Sequence, residues 1–143
     1  MKTTKNNFYK LKKGDDTTTL LYNGKDFIKY EFTLGKSKTS PLAIKAKTKT
    51  ISGVDKNELS GSKVSLNVIE TSIEMVNILV SIFFQDYGDT KYNLEQVKSL
   101  LTFYCDNVND VLNCENKVDL LDIFREFKSN LKIIEKSVDK HVK

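Results

Sequence analysis

The sequence predicts an α+β fold, with an N-terminal antiparallel sheet of about five strands packed on a central buried helix and a C-terminal antiparallel helical hairpin after it. Three observations predict this. Residues 8–51 alternate apolar and polar side chains in short runs separated by turn residues, the period-two signature of strands. Residues 71–87 are apolar on two sides of a helix, with Ile73, Val76, Val80, Phe83 and Tyr87 in one row and Met75, Ile78 and Ile82 in another. The remainder carries two further seams at three-four spacing. Strands first and helices afterwards is the order of an α+β chain.

Taken in order, residues 1–7 are polar and expected to fray. Residues 8–13 read as a first strand and Gly14-Asp15-Asp16 as a turn. Residues 17–22 are rich in β-branched and large side chains and read as a second strand. Asn23-Gly24 is a strong hairpin signal, because both residues tolerate positive φ. The third strand, 26–34, points Ile28, Tyr30, Phe32 and Leu34 one way and Lys29, Glu31 and Thr33 the other. A basic loop ends at Pro41, and a fourth strand is expected over 42–51, with Leu42, Ile44 and Ala46 facing the core and Lys45, Lys47 and Lys49 facing outward.

Residues 52–62 form the longest linker signal, either a flexible loop or one holding a short helical turn at 55–59. Residues 63–69 resume alternation and read as a fifth strand. The competing reading starts the helix near Ser62, since Leu66 and Ile69 also continue its apolar row. The Thr-x-x-Glu spacing of Thr71 and Glu74 favours a capped start at Thr71. A helix apolar on two sides must be covered on two sides, so it is expected between the sheet and the later helices. Gly88-Asp89-Thr90 breaks it. Asn93 and Gln96 have capping-box spacing, and Leu94, Val97, Leu101, Tyr104, Val108 and Val111 form the next seam. After a turn at 113–116, a last helix over about 117–140 carries Leu120, Phe124, Phe127, Leu131, Ile134 and Val138. Glu115, Asp119 and Asp122 stand at its N-terminal end and Lys136, Lys140 and Lys143 at the other, complementing the helix dipole.

At 143 residues the chain is expected to be one domain, 1–143, with a basic β region to residue 70 and an acidic helical region after it. Residues 1–63 hold 14 Lys against 6 Asp or Glu, a balance of +8, and residues 64–143 balance at −4. Such asymmetry suggests a polyanion-facing surface on the first half; attraction between the two halves, or solubility alone, would account for it equally. The N-terminal stretch has no apolar h-region, and the apolar run 73–84 falls short of the ~20 residues of a membrane span. Cys105 and Cys114 do not make a disulfide framework, and free thiols in a reducing, cytoplasmic setting are expected.

No catalytic or cofactor signature is present. His141 is the sole histidine and sits at a fraying end, so a Cys105–His141 dyad has nothing to support it. Zinc would need about four Cys or His ligands at suitable spacing. Asp86 and Asp89 fit a polar turn, and the glycines are scattered singly rather than grouped around phosphates. The expectation is therefore a non-catalytic protein without metal or cofactor.

Strand alternation places Lys10, Lys12, Lys29, Lys45, Lys47 and Lys49 on the outward face of the sheet, together with Phe8 and Phe27. Lysines beside exposed rings suit single-stranded nucleic acid, the cations tracking phosphates and the rings stacking on bases. The bland reading packs Phe8 and Phe27 against each other or beneath residues 52–62, and makes the lysines a guard against aggregation. A single arginine, Arg125, argues against sequence-specific groove reading. The expected site is Lys10, Lys12, Phe27, Lys29, Lys45, Lys47 and Lys49, binding single-stranded nucleic acid with little sequence preference. The rival reading is a small adaptor or inhibitor, of the type phages and mobile elements encode, that docks on a larger protein such as a nucleic-acid enzyme.

Overall fold

The computed structural model describes residues 3–114 and 119–141. Five strands come first: β1 (Asn7–Lys13), β2 (Asp16–Tyr22), β3 (Phe27–Gly35), β4 (Ala43–Ile51) and β5 (Leu59–Ser65). Three helices follow: α1 (Leu66–Tyr87), α2 (Lys91–Cys114) and α3 (Leu120–His141). The architecture is α+β, as the sequence predicts. The strands form one antiparallel sheet in the order β4-β3-β2-β1-β5. The turn predicted at 113–116 is still helix at Asn113 and Cys114, and its other two residues lie outside the described ones, as do Lys143 and the side chains of Cys114, Lys140 and His141.

The first two turns are built as their residues allow. Gly14, at φ +61°, opens the turn that pairs Lys13 with Asp16. In the next turn, Asn23 N–H donates to Asp26 O at 3.1 Å, so Gly24 and Lys25 are the two central residues. Asn23 serves beside Gly24 rather than with it in the centre: its Oδ1 accepts from the N–H of Lys25 and Asp26 at 2.9 and 2.6 Å. Residues 52–58 cross from one edge of the sheet to the other and include a 3-10 turn at Lys56–Glu58, capped by the Asp55 side chain.

The fifth strand and the central helix both begin earlier than the favoured reading placed them. The strand is Leu59–Ser65 rather than 63–69, and the helix starts at Leu66 rather than at Thr71. The cause is the length of β1. Its ladder with β5 ends where Asn7 meets Ser65, and Asn6 turns away at φ +68°. A strand past residue 65 would have no partner for its backbone groups. The helix offers them partners, and Ile69 then joins Ile73, Val76, Val80 and Phe83 in the buried row.

One core runs through the layers. Phe8, Leu21, Phe32 and Ile44 from the sheet meet that row, the α2 seam Val97, Leu101, Tyr104 and Val108, and the α3 seam Leu120, Phe127, Leu131 and Ile134. The two later helices are antiparallel neighbours: the Tyr92 hydroxyl near the start of α2 lies 2.7 Å from Ser137 Oγ near the end of α3, and Tyr104 meets Phe127 edge-on at 5.8 Å. Asn93 lies inside α2 rather than before it, and Thr90 Oγ1 takes its N–H in the capping role. Buried Asn93 donates through Nδ2 to Tyr87 O and Gly88 O, satisfying carbonyls at the end of α1.

A second, smaller core occupies the other face of the sheet. Tyr9, Leu11, Leu20, Phe27 and Leu59 cluster there under Val54 and Ile51. Lys56 stands 5.6 Å over the Tyr22 ring.

The sheet is split. β2 pairs with β3 only between Leu20–Tyr22 and Phe27–Lys29, so from Tyr30 onward β3 leaves β2 and runs with β4 as a two-stranded ribbon. Each edge of the ribbon is clamped by one asparagine from a helix. On the β3 edge, Phe32 N–H donates to Asn109 Oδ1 and Asn109 Nδ2 donates to Phe32 O, both at 2.9 Å. On the β4 edge, Ile44 N–H donates to Asn77 Oδ1 at 2.8 Å and Asn77 Nδ2 donates to Ile44 O at 3.0 Å. A primary amide presents the same donor and acceptor as a neighbouring strand. Asn109→Ala or Asn77→Ala removes two bonds and orphans two backbone groups, an expected loss of ~2–4 kcal/mol in urea unfolding. Amide exchange at Phe32 or Ile44 respectively should accelerate in the same variants; unaltered exchange and stability would show that the clamp is dispensable.

Candidate functional site

The lysines fall into two sets on opposite faces. The register Tyr9–Leu20–Lys29–Lys49 across four strands puts Lys29 and Lys49 on the face of the small core. Lys45 and Lys47, two and four residues along the same strand, share that face. All four are exposed. Lys10 and Lys12 alternate with Tyr9 and Leu11, so they belong to the helix-side face with Phe8. A single six-lysine surface is thus not formed, because β1 presents Tyr9 and Leu11, not its lysines, to the outer face.

Neither ring is available for stacking. Phe8 is 1% exposed in the main core, and Phe27 is 7% exposed in the small core. Phe27 packs with Val54 and Leu59, inside the 52–62 segment that the bland reading of the sequence places over it. The signal was this apolar pair inside an otherwise polar linker. What remains of the expected site is Lys29, Lys45, Lys47 and Lys49, with Glu31 directly opposite Lys47.

β4 is unusual along this row. From Lys45 to Thr50 every side chain is exposed, on both faces. Its backbone is open as well. In an antiparallel ladder, residues alternately turn their N–H and C=O toward and away from the partner strand. Ile44 turns outward to Asn77, so Ala46, Thr48 and Thr50 also turn outward. None of their outward groups pairs with a described residue.

Beside this edge lies a groove of about 910 Å³ between β4, residues 37–41 and α1, lined by Pro41, Ala46, Ile78, Ile82 and Phe84 with Glu70, Glu74 and Asp89 around it. Thr39 Oγ1, 3.1 Å from Ser81 Oγ, ties the loop to the helix. The groove exists because the second apolar row of α1 is uncovered, contrary to the expectation of a helix walled on two sides. Val68 is 53% exposed, Met75 40%, Ile78 52% and Ile82 47%. With Thr71 and Gln85 these residues keep a three-four alternation over the length of α1, the spacing of a helix-packing seam. Asn109 holds α2 beside β3, and α2 and α3 cover the buried row of α1, while Leu120, Leu121 and Phe124 of α3 stand beside only the Val68–Met75 end of the exposed row. By length and composition alone α1, 22 residues, is long enough to cross a membrane, longer than the apolar run 73–84 inside it; 28% of its most apolar window is buried.

Chemistry by nucleophile is disfavoured at Cys105, the cysteine whose side chain is described. Cys105 is free and buried, and its Sγ donates to Phe32 O at 2.7 Å. Burial, with Asp106 and Glu31 adding to it, pushes the thiol up to about 11. Burial also raises the Tyr30 hydroxyl, aided by Glu70, and the Tyr104 hydroxyl, against the lowering effect of its bond to Ser72. Among the described residues no group of three or more His, Cys, Asp or Glu could hold a metal ion. No family model, curated protein or solved structure matches this chain.

The shift of Cys105 has a sign that can be measured. Between pH 9, the ordinary value, and about pH 11 the folded thiol keeps a proton that the unfolded chain has lost. Stability therefore falls as pH rises across that window. Cys105→Ala is expected to flatten this decline relative to the native chain in urea midpoints taken through it. A parallel decline in both proteins would mean that the thiol is not held protonated.

Proposed function

We propose that this is a non-catalytic binding protein that docks on a larger protein through the surface shared by α1 and β4. The observation that carries the reading is the exposed row Val68, Met75, Ile78 and Ile82 on α1, of which Ile78 and Ile82 line the groove. Contiguous exposed apolar side chains on a folded domain mark interaction sites. Covering each of them would contribute roughly 1.5–3 kcal/mol before the costs of association. The carboxylates Glu70, Glu74 and Asp89 border the groove, so the matching surface is apolar with a basic rim.

The test uses Ile78→Glu with Ile82→Glu. Both residues are exposed and face away from the core, so melting should change by less than about 1 kcal/mol in equivalent stability. A stoichiometric partner isolated from the source cell should be lost with this variant and kept with a control substitution at exposed Ile133. Retention of the partner by the double variant would discard the seam.

A second reading, single-stranded nucleic acid, is favoured by the lysine row Lys29, Lys45, Lys47 and Lys49 and no longer by the rings. On this reading Lys45→Ser, Lys47→Ser and Lys49→Ser together weaken oligonucleotide binding. The log-affinity against log-salt slope should flatten by about 2, at ~0.7 per phosphate contact. Phe27→Ala should lower thermal stability rather than affinity alone, since the ring is core. An oligonucleotide affinity indifferent to the triple substitution removes the row from consideration.

A further inference from the structure

We propose that the open edge of β4 accepts an extended segment of a partner protein as an added strand, and that this segment alternates acidic with apolar residues. The proposal rests on the docking reading and adds the backbone edge of β4, which Thr48→Pro tests by itself, so the two can fail separately.

The backbone comes first. Ala46, Thr48 and Thr50 turn their N–H and C=O groups outward along an exposed strand, and no described residue takes them. Natural sheets usually blunt such an edge. Lysines guard this one, but its backbone is closed at one place, where Asn77 occupies Ile44, and the amide there shows that the edge is competent to pair. A strand laid beside Ala46–Thr50 would continue the ladder that the Asn77 amide begins.

The side chains then select the segment. A strand repeats on one face every two residues, ~6.6–6.8 Å. Lys45, Lys47 and Lys49 therefore present cations at the spacing at which an added strand presents its own alternate side chains, and carboxylates there meet them one for one. The other face of the added strand looks over Ala46 and Thr48 toward the groove, whose apolar lining and acidic border reject further carboxylates. Hence acidic residues on one side and apolar ones on the other. A second copy pairing β4 with β4 would set lysine against lysine. A nucleic-acid strand would use the lysines and leave the backbone edge unused.

The probe is a short blocked peptide alternating Glu with Val, added to the full chain and followed by amide shifts and amide hydrogen exchange. Shifts should centre on β4, and exchange at Ala46, Thr48 and Thr50 should slow by about tenfold or more at saturation, the equivalent of ~1.4 kcal/mol. The same peptide with Lys for Glu should not bind. Thr48→Pro removes one outward N–H without touching the bonds to β3, as edge strands allow, and should abolish binding that Thr48→Ala retains. Should Thr48→Pro fail to fold, Lys45→Glu with Lys47→Glu decides instead, by transferring preference to the Lys peptide. Val68→Glu with Met75→Glu, on the exposed row of α1 but outside the groove, should leave peptide binding intact. Binding that survives Thr48→Pro, binding without slowed exchange at the three amides, or the absence of any shift on β4 would overturn the proposal. Oligothymidylate binding on the lysine row that is indifferent to Thr48→Pro would overturn it in favour of nucleic acid.

Discussion

Two asparagine amides hold a two-stranded ribbon from both sides, and most of the molecule is arranged around that constraint. A ribbon that has left its sheet has two open edges, and open backbone groups in a partly buried setting must be satisfied. Asn109 on α2 and Asn77 on α1 each supply one donor and one acceptor to a single strand residue, Phe32 and Ile44. Cys105, one turn before Asn109, adds its thiol to the same Phe32 carbonyl. Because Asn109 must reach β3 at the split, α2 lies on the sheet itself. Because Asn77 must reach the opposite edge, α1 lies along β4. The space between those two requirements fixes which side of α1 is covered and which is not.

The same geometry explains what a linear reading can and cannot see. The seams of α2 and α3 were legible because helical period and burial agree there: Val97, Leu101, Tyr104 and Val108 all lie in the core as spaced. The hairpin at Asn23-Gly24 was legible because positive φ is a local demand. The start of α1 was not, because Thr71 and Glu74 make a valid cap and the deciding fact, the end of β1 at Asn7, lies far away in sequence. The face of β1 was misread for a related reason. Phe8, Tyr9 and Leu11 offer apolar residues to both faces, and alternation cannot say which face has a second core. That core depends on residues 52–58 crossing the sheet to bring Val54 and, at the start of β5, Leu59 onto it, and a polar linker gives little notice of two apolar contacts.

Of the candidate site, the row Lys45, Lys47 and Lys49 was legible from alternation alone, and Lys29 joined it through register. The clamping asparagines were invisible. An Asn inside a helix usually reads as a mild penalty on a solvated face, and nothing local marks the two that replace a strand. The uncovered row Met75, Ile78 and Ile82 was seen but assigned to the interior, on the reasonable premise that apolar helix faces are buried. That premise concerns the whole assembly in which a chain works and not the chain by itself.

An exposed seam and an open edge on the same side of one small protein are each costly, and each has a simple remedy. Lysine or glutamate at Ile78 and Ile82 would solubilise the helix without touching the core. A proline or a bulge in β4 would close the edge. The chain applies neither remedy there, yet it spends an asparagine to close the edge at Ile44, where the ribbon meets its own helix. The lysines on β4 discourage self-pairing but leave the backbone groups of Ala46, Thr48 and Thr50 accessible, so they discriminate among strands and do not exclude them all. Lysine on one side of that strand and carboxylate around the groove on the other impose an orientation on anything that pairs there. An edge merely defended against aggregation would need charge, but it would not need charges of opposite sign on its two sides.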